Sequence, residues 1–306
     1  MKIAIVDSTN TAKCVWDHAV GNSLNNLLDV EGVFLDEVMF NLPPTDLPVA
    51  NSCVAIKNLI LNPAMQKPVF EHIGVVPGES VSTIFSLFNG KEFSDFLEVY
   101  SSERLMTQNV GPRVGFTTGV ALKVGTEIYD AVPALIRLRD FLTRSEYRGE
   151  VLIHLAENYL ITDIRVGHFF GHFALFSELA KCSTSDLLDF IFGKLPTCSL
   201  YDSIGIANLV SLSPFPSGSL YPQQIHAPKG AEKHLWRIQR GNSETVLITC
   251  HGLYLQEARK RVRRTIENIC LNFPDLQYRV DYGYNARFVL AGPAYEKSKE
   301  VQQAGK

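Results

Sequence analysis

Residues 151 to 166 constrain this chain more than any other stretch. Val151-Leu-Ile-His-Leu-Ala156 and Tyr159-Leu-Ile-Thr-Asp-Ile-Arg-Val166 are two apolar runs of strand length, separated by the polar pair Glu157-Asn158. That arrangement predicts two adjacent strands joined by a hairpin turn. Side chains alternate across a strand, so Asp163 and Arg165 point to the same face. An aspartate there can give oxygen to Mg2+, and a guanidinium can fork onto phosphate or acyl-phosphate oxygens. The plainer reading of the same two residues is a surface ion pair. Gly167 then marks a tight turn, and Asp186 to Pro196 reads as a helix closed by Gly193 and Pro196.

The hairpin sits in a chain of 306 residues, 46% of them hydrophobic, which is material for two domains with sizeable cores. A net charge of -3 argues against nucleic acid as the main partner. A small-molecule ligand or a protein partner is expected instead, with a homo-oligomer left open. The 6 cysteines form no C-x-x-C pair and follow no signal-peptide pattern, so they read as reduced thiols of a cytoplasmic protein. No run reaches transmembrane length, so no membrane partner is expected.

Other segments extend the pattern. Lys2-Ile-Ala-Ile-Val6 is a short strand, and Asp7-Ser-Thr-Asn10 a turn that starts a helix, an α/β opening without a glycine-rich phosphate cradle. Pro43, Pro44, Pro48, Pro63, Pro68 and Pro77 make residues 41 to 80 the most irregular stretch. Val81, Thr83, Phe85 and Leu87 alternate as a strand that leads into the hairpin signal Asn89-Gly90. Ala131, Leu135, Leu138 and Leu142 predict one helix from Tyr129 to Thr143. Beyond Pro196, strands are expected at 204–211 and 244–252. A helix at 255–270 carries a stripe of Leu255, Ala258, Val262, Ile266 and Ile269, and a strand and turn follow at 276–284.

The run Leu160-Ile-Thr-Asp-Ile-Arg-Val-Gly167 resembles the strand Leu-Glu-Phe-Asn-Ala-Arg-Phe-Gly that ends the ATP-grasp domain of the phosphoribosylamine-glycine ligases, or glycinamide ribonucleotide synthetases. Gly78-Glu-Ser80, Asn89-Gly90, Ser102-Glu-Arg-Leu105 and Gly111-Pro-Arg-Val-Gly115 are similar to further segments of that family. So are Glu257-Ala-Arg259, Tyr278-Arg279, Asp281 and Gly283 in its C-terminal domain, and all stand in the same order. Cys53-Val-Ala-Ile-Lys57 resembles the strand ending in the family's ATP-phosphate lysine, and Val69-Phe-Glu71 the strand with its adenine-side glutamate.

The resemblance implies a mixed α/β and α+β fold. Residues 1–50 would be an abbreviated N-terminal α/β unit, 51–196 a truncated ATP-grasp-like domain and 197–306 a small C-terminal α+β domain. It also implies an ATP- and Mg2+-dependent ligase that joins a carboxylate to an amine in purine nucleotide biosynthesis. Asp163 and Arg165 would be catalytic, with Asp163 holding the metal and Lys57, Glu71, Gly111 and Arg113 the nucleotide.

The chain also departs from the family. Ile161 stands where a metal-ligating glutamate belongs, Asp163 replaces an asparagine and His168 an aspartate. Arg113, Val114 and Phe116 stiffen the Gly111 loop, and the gap from Lys57 to Glu71 leaves no room for a glycine-rich phosphate loop. These departures point to a diverged relative, a pseudoenzyme with weak, altered or lost catalysis that binds a ligand or partner. The alternative is a working ligase, and only then are ATP and Mg2+ its cofactors.

Three further patterns have two readings each. His168 and His172 have the i, i+4 spacing of a metal pair, with Asp163 as a third donor, although histidines at a helix start more often cap or pack. Arg259-Lys-Arg-Val-Arg-Arg264 is a dense basic run expected as a solvated helix face. Cys182, Cys198 and Cys250 show no adjacent His and Asp arrangement that would mark a thiol nucleophile, so core or surface thiols are expected.

Overall fold

The computed structural model describes residues 2–6, 31–35, 63–102, 118–166, 170–212, 235–240, 243–272, 277–278 and 286–291. Strands β1 (Lys2–Val6) and β2 (Glu31–Leu35) pair in parallel, with Lys2 opposite Glu31, and the turn and helix start expected from residue 7 lie outside the described residues. Helix α1 (Pro63–Ile73) follows.

A nine-stranded sheet makes up the rest. Its first strands are β3 (Ser82–Phe88), β4 (Phe96–Ser102) and β5 (Thr118–Val124). Helices α2 (Ile128–Ala131) and α3 (Ala134–Arg144) precede the hairpin of β6 (Gly149–Leu155) and β7 (Ile161–Val166). Then come α4 (Phe170–Leu179), α5 (Thr184–Ile191) and β8 (Ile204–Leu212). Strands β9 (Leu235–Arg240) and β10 (Ser243–Gly252), helix α6 (Leu255–Asn272) and β11 (Gln277–Tyr278) complete the series. The strand order is β7-β6-β3-β4-β5-β8-β10-β9, with β11 on β8. Each of its described pairings is antiparallel. The division expected at residue 196 falls inside this single sheet, because β8 pairs with β5 from Gly119↔Ala207 to Leu122↔Ile204.

Helices cover both faces. One core joins Ile84, Phe88, Leu122 and Ile153 to Leu135, Leu138 and Leu142 of α3 and to Ala258, Val262 and Ile266 of α6. The other joins Phe85, Leu87, Leu97 and Leu152 to Phe173, Phe176 and Leu179 of α4 and Phe190 of α5. Of the stripe foreseen on α6, Ala258, Val262 and Ile266 are buried and Leu255 is partly so, since residues three or four apart share a helix face; the Ile269 side chain lies outside the described residues.

Two local expectations need correction. The segment Val69–Glu71 is helical rather than a strand. Pro63 opens the helix at no cost, because its missing N–H lies in the unpaired first turn. Gly74, at φ +87°, closes it with its N–H on the Phe70 carbonyl at 2.8 Å. The helix expected over 129–143 is two helices. Pro133 has no N–H to continue the ladder and forces Val132 out of the helical region, to φ -127° and ψ 73°. No helix among the described residues is long and apolar enough to cross a membrane.

Candidate functional site

The β6–β7 hairpin forms one edge of the sheet. Its turn is closed by the Ala156 N–H on the Leu160 carbonyl and the Tyr159 N–H on the Ala156 carbonyl, both at 2.9 Å. The register runs from Val151↔Val166 to His154↔Asp163 and then slips, so that Leu155 pairs with Ile161. Thr162 is therefore an extra residue, a bulge. In an unbroken strand residues 161 and 163 would share a face. Here Ile161 enters the same core as Ile164 and Val166 at 0% exposure, while Asp163 lies on the opposite face beside His154. The two positions that the resemblance assigns to one metal site are on different sides of the sheet.

Asp163 and Arg165 share a face, as the alternation predicts. Arg165 Nε donates to Asp163 Oδ2 at 2.9 Å, with the arginine side chain 61% and the aspartate 32% exposed. Asp163 Oδ1 accepts the Ile164 N–H at 2.9 Å. A pair this exposed contributes about 1 kcal/mol or less.

Two histidines continue the polar row inward. His154 Nδ1 bonds Thr83 Oγ1 at 3.0 Å, and its Nε2 is enclosed without a hydrogen-bond partner. Burial lowers the pKa of His154, Arg165 lowers it further, and Asp163 opposes. From α4, His172 stacks on Phe85 with ring centroids 5.8 Å apart. Burial, then the neighbouring His154, pushes its pKa down to about 4. The row Thr83, His154, Asp163, Arg165, with His172 of α4 beside it, thus combines two neutral imidazoles with a self-neutralised ion pair.

This has a pH consequence. An unfolded histidine protonates near 6.5, so between 6.5 and about 4 the unfolded chain binds the extra proton and stability falls as pH falls. The shift sets a ceiling of about 3 kcal/mol for His172, lowered by the surface the residue keeps exposed. His172→Phe is expected to flatten the drop in melting temperature between pH 7 and pH 4.5. An unchanged drop would contradict the burial of this imidazole.

The remaining expected site residues do not join this row. Glu71 lies on α1, 68% exposed and 3.9 Å from Lys67, and α1 packs on the face of the sheet opposite Asp163. Lys57, Gly111, Arg113 and His168 lie outside the described residues. Of the basic run, Lys260, Arg261, Arg263 and Arg264 form a solvated helix face, with Arg261 on Glu257 and Arg263 on Glu267, each at 2.7 Å, while Arg259 is half-buried.

Three clusters escaped the sequence reading. Glu98, on β4, is buried and accepts hydrogen bonds from Ser82 and from the backbone of 289–291. Glu178, on α4, accepts Thr249 Oγ1 at 2.8 Å and His251 Nδ1 at 2.5 Å, tying α4 to β10. Cys182 and Cys198 bring their sulfurs together. The two glutamates had a signal, each being the lone charge inside an apolar element. The cysteine pair had none.

The architecture, an antiparallel sheet with helices on both faces, is a mixed α/β fold consistent with a partial ATP-grasp domain. It is similar to phosphoribosylamine-glycine ligase from Thermotoga maritima, with a TM-score of 0.53 and 10% identity over 92% of this chain and 100% of that one. Glycinamide-RNase-transformylase T from Mycobacterium tuberculosis aligns at a TM-score of 0.47 and 11% identity, over 88% of this chain and 99% of its own, and adds no separate argument. No family model matches the chain, and no curated protein matches its sequence. At such identity the likeness is one of fold.

Proposed function

We propose that the chain is a diverged relative of the phosphoribosylamine-glycine ligases whose catalysis is weak, altered or lost, and that it acts by binding a ligand or a protein partner in the cytoplasm. The bulge at Thr162 carries this reading. It directs Ile161 into the core and leaves Asp163 on the other face, already paired with Arg165 at 2.9 Å. The residues of β7 do not fit a pair of magnesium ligands. A triphosphate also needs cations or metal to offset its charge. Among the described residues of this face, Arg165 is paired with Asp163 and the two imidazoles are held neutral. Such a surface suits a polar ligand of low charge, or a peptide, better than a nucleotide triphosphate.

A second reading, a working ATP-dependent ligase of purine nucleotide biosynthesis, draws on the breadth of the structural likeness, 92% of this chain and 100% of the Thermotoga enzyme. Melting with millimolar ATP and Mg2+ separates the two. A ligand at 100 times its dissociation constant stabilises the native state by about 2.7 kcal/mol, several degrees of melting temperature. No Mg-dependent rise is expected, and no glycine-dependent ATP hydrolysis with phosphoribosylamine present. Turnover that Asp163→Ala or Arg165→Ala abolishes with folding intact would establish the ligase instead.

A further inference from the structure

Cys182 follows α4 and Cys198 leads into β8, and the two segments run antiparallel. Ala180 bridges Leu200, the Lys181 N–H bonds the Ser199 carbonyl at 3.0 Å, and the Tyr201 N–H bonds the Leu179 carbonyl at 2.8 Å. These bonds flank Ala180 and Leu200, which are therefore a non-hydrogen-bonded pair. Two residues further along each segment stand Cys182 and Cys198, and a non-hydrogen-bonded pair such as Ala180 and Leu200 has Cα atoms about 4.5 Å apart, inside the range that a disulfide spans. Their sulfurs stand 3.8 Å apart, and neither thiol is in a disulfide.

We propose that Cys182 and Cys198 form a redox modification site, closing a reversible disulfide by exchange with a small-molecule disulfide such as oxidised glutathione. Cys182, the more exposed of the two, attacks first. Its thiolate bonds one sulfur of the external disulfide and expels the other as a thiolate. Cys198 then gives up its proton and displaces the second external thiolate, so two protein thiols are oxidised and one external disulfide becomes two thiols. The Cys182 sulfur and burial, with Asp95 and Asp186 beyond, hold Cys198 protonated in the reduced chain, which leaves the first attack to Cys182; Cys198 must lose that proton to resolve the mixed disulfide.

The site has a structural address. Asp95 fixes the segment after Cys198, its Oδ2 accepting the Leu200 N–H at 2.9 Å and standing 3.3 Å from Lys123 Nζ. Burial opposes the charge on Lys123, but Asp95 and Asp202 outweigh it and raise its pKa. Cys198, Asp95, Tyr129 and Ser199 also line a cavity of about 170 Å³, so oxidation alters one of its walls.

The full chain, reduced and then incubated with oxidised glutathione, tests this by mass mapping without reduction. Trypsin cuts at Lys194 between the two cysteines, so a cross-link joins two separate peptides. We expect that linked pair, with a melting temperature raised by about 5 °C and restored by dithiothreitol. Cys198→Ser should stop at the mixed disulfide on Cys182 and lose the rise. Unlinked peptides from the wild-type chain, linkage to a different cysteine, or a rise that survives Cys198→Ser would each overturn the proposal. The mapping uses the wild-type chain and holds even where a variant folds poorly.

Discussion

Glu98→Ala is expected to cost about 3–5 kcal/mol and to lower the melting temperature by about 10 °C. The carboxylate is 2% exposed in the middle of β4. Its Oε1 accepts the Ser82 hydroxyl at 2.7 Å and the Val289 N–H at 2.6 Å, and its Oε2 accepts the N–H groups of Leu290 and Ala291, both at 2.8 Å. Three successive backbone donors converging on one anion form a nest, and hydrogen bonds to an ionised acceptor are the stronger kind. Alanine leaves four donors without this acceptor, each costing about 1–3 kcal/mol if it stays buried. The sum is capped, because residues 286–291 can lift off and hydrate. Glu98→Gln should be nearly as damaging, since one amide oxygen cannot serve four donors and its NH2 would face N–H groups. Hydrogen exchange at Leu290 and Ala291 checks the mechanism, with protection lost in both variants. A Gln variant that melts with the wild type would refute it.

Ile161→Glu is the second large effect, and its sign distinguishes two pictures of β7. If residue 161 shared a face with Asp163, a glutamate there would rebuild a magnesium site and Mg2+ would stabilise the variant. Because Thr162 bulges, the side chain enters the core with Ile164 and Val166, at 0% exposure. A carboxylate in that position has no partner and must stay charged at great cost or take up a proton. We expect a loss of about 3–5 kcal/mol, or a chain that fails to fold, and no gain in Mg2+ affinity. Ile161→Val, which removes one methylene from the same spot, should cost about 1 kcal/mol. A folded Ile161→Glu chain with a melting temperature raised by Mg2+ would return the ligase reading to first place.

Local pattern alone determined much of this protein. The hairpin of residues 151 to 166, the strand ending at Asn89-Gly90 and the stripe of Ala258, Val262 and Ile266 were all legible, because side-chain period and turn chemistry act within a few residues. So was the common face of Asp163 and Arg165. The order of family-like segments pointed to the fold that the Thermotoga ligase shares. Tertiary structure decided what depends on partners distant in the chain. The bulge at Thr162 exists because the strand satisfies β6 and the core together, and it splits positions that spacing alone would unite. Residues 63–73 became a helix although part of that run reads as a strand, since α1 buries Ile73 against the sheet's helical layer. Glu98 meets donors 191 to 193 residues away, and Cys182 meets Cys198 beside the bridge between Ala180 and Leu200. Neither meeting leaves a periodic trace, because one residue's environment is made by elements that only the folded sheet brings beside it.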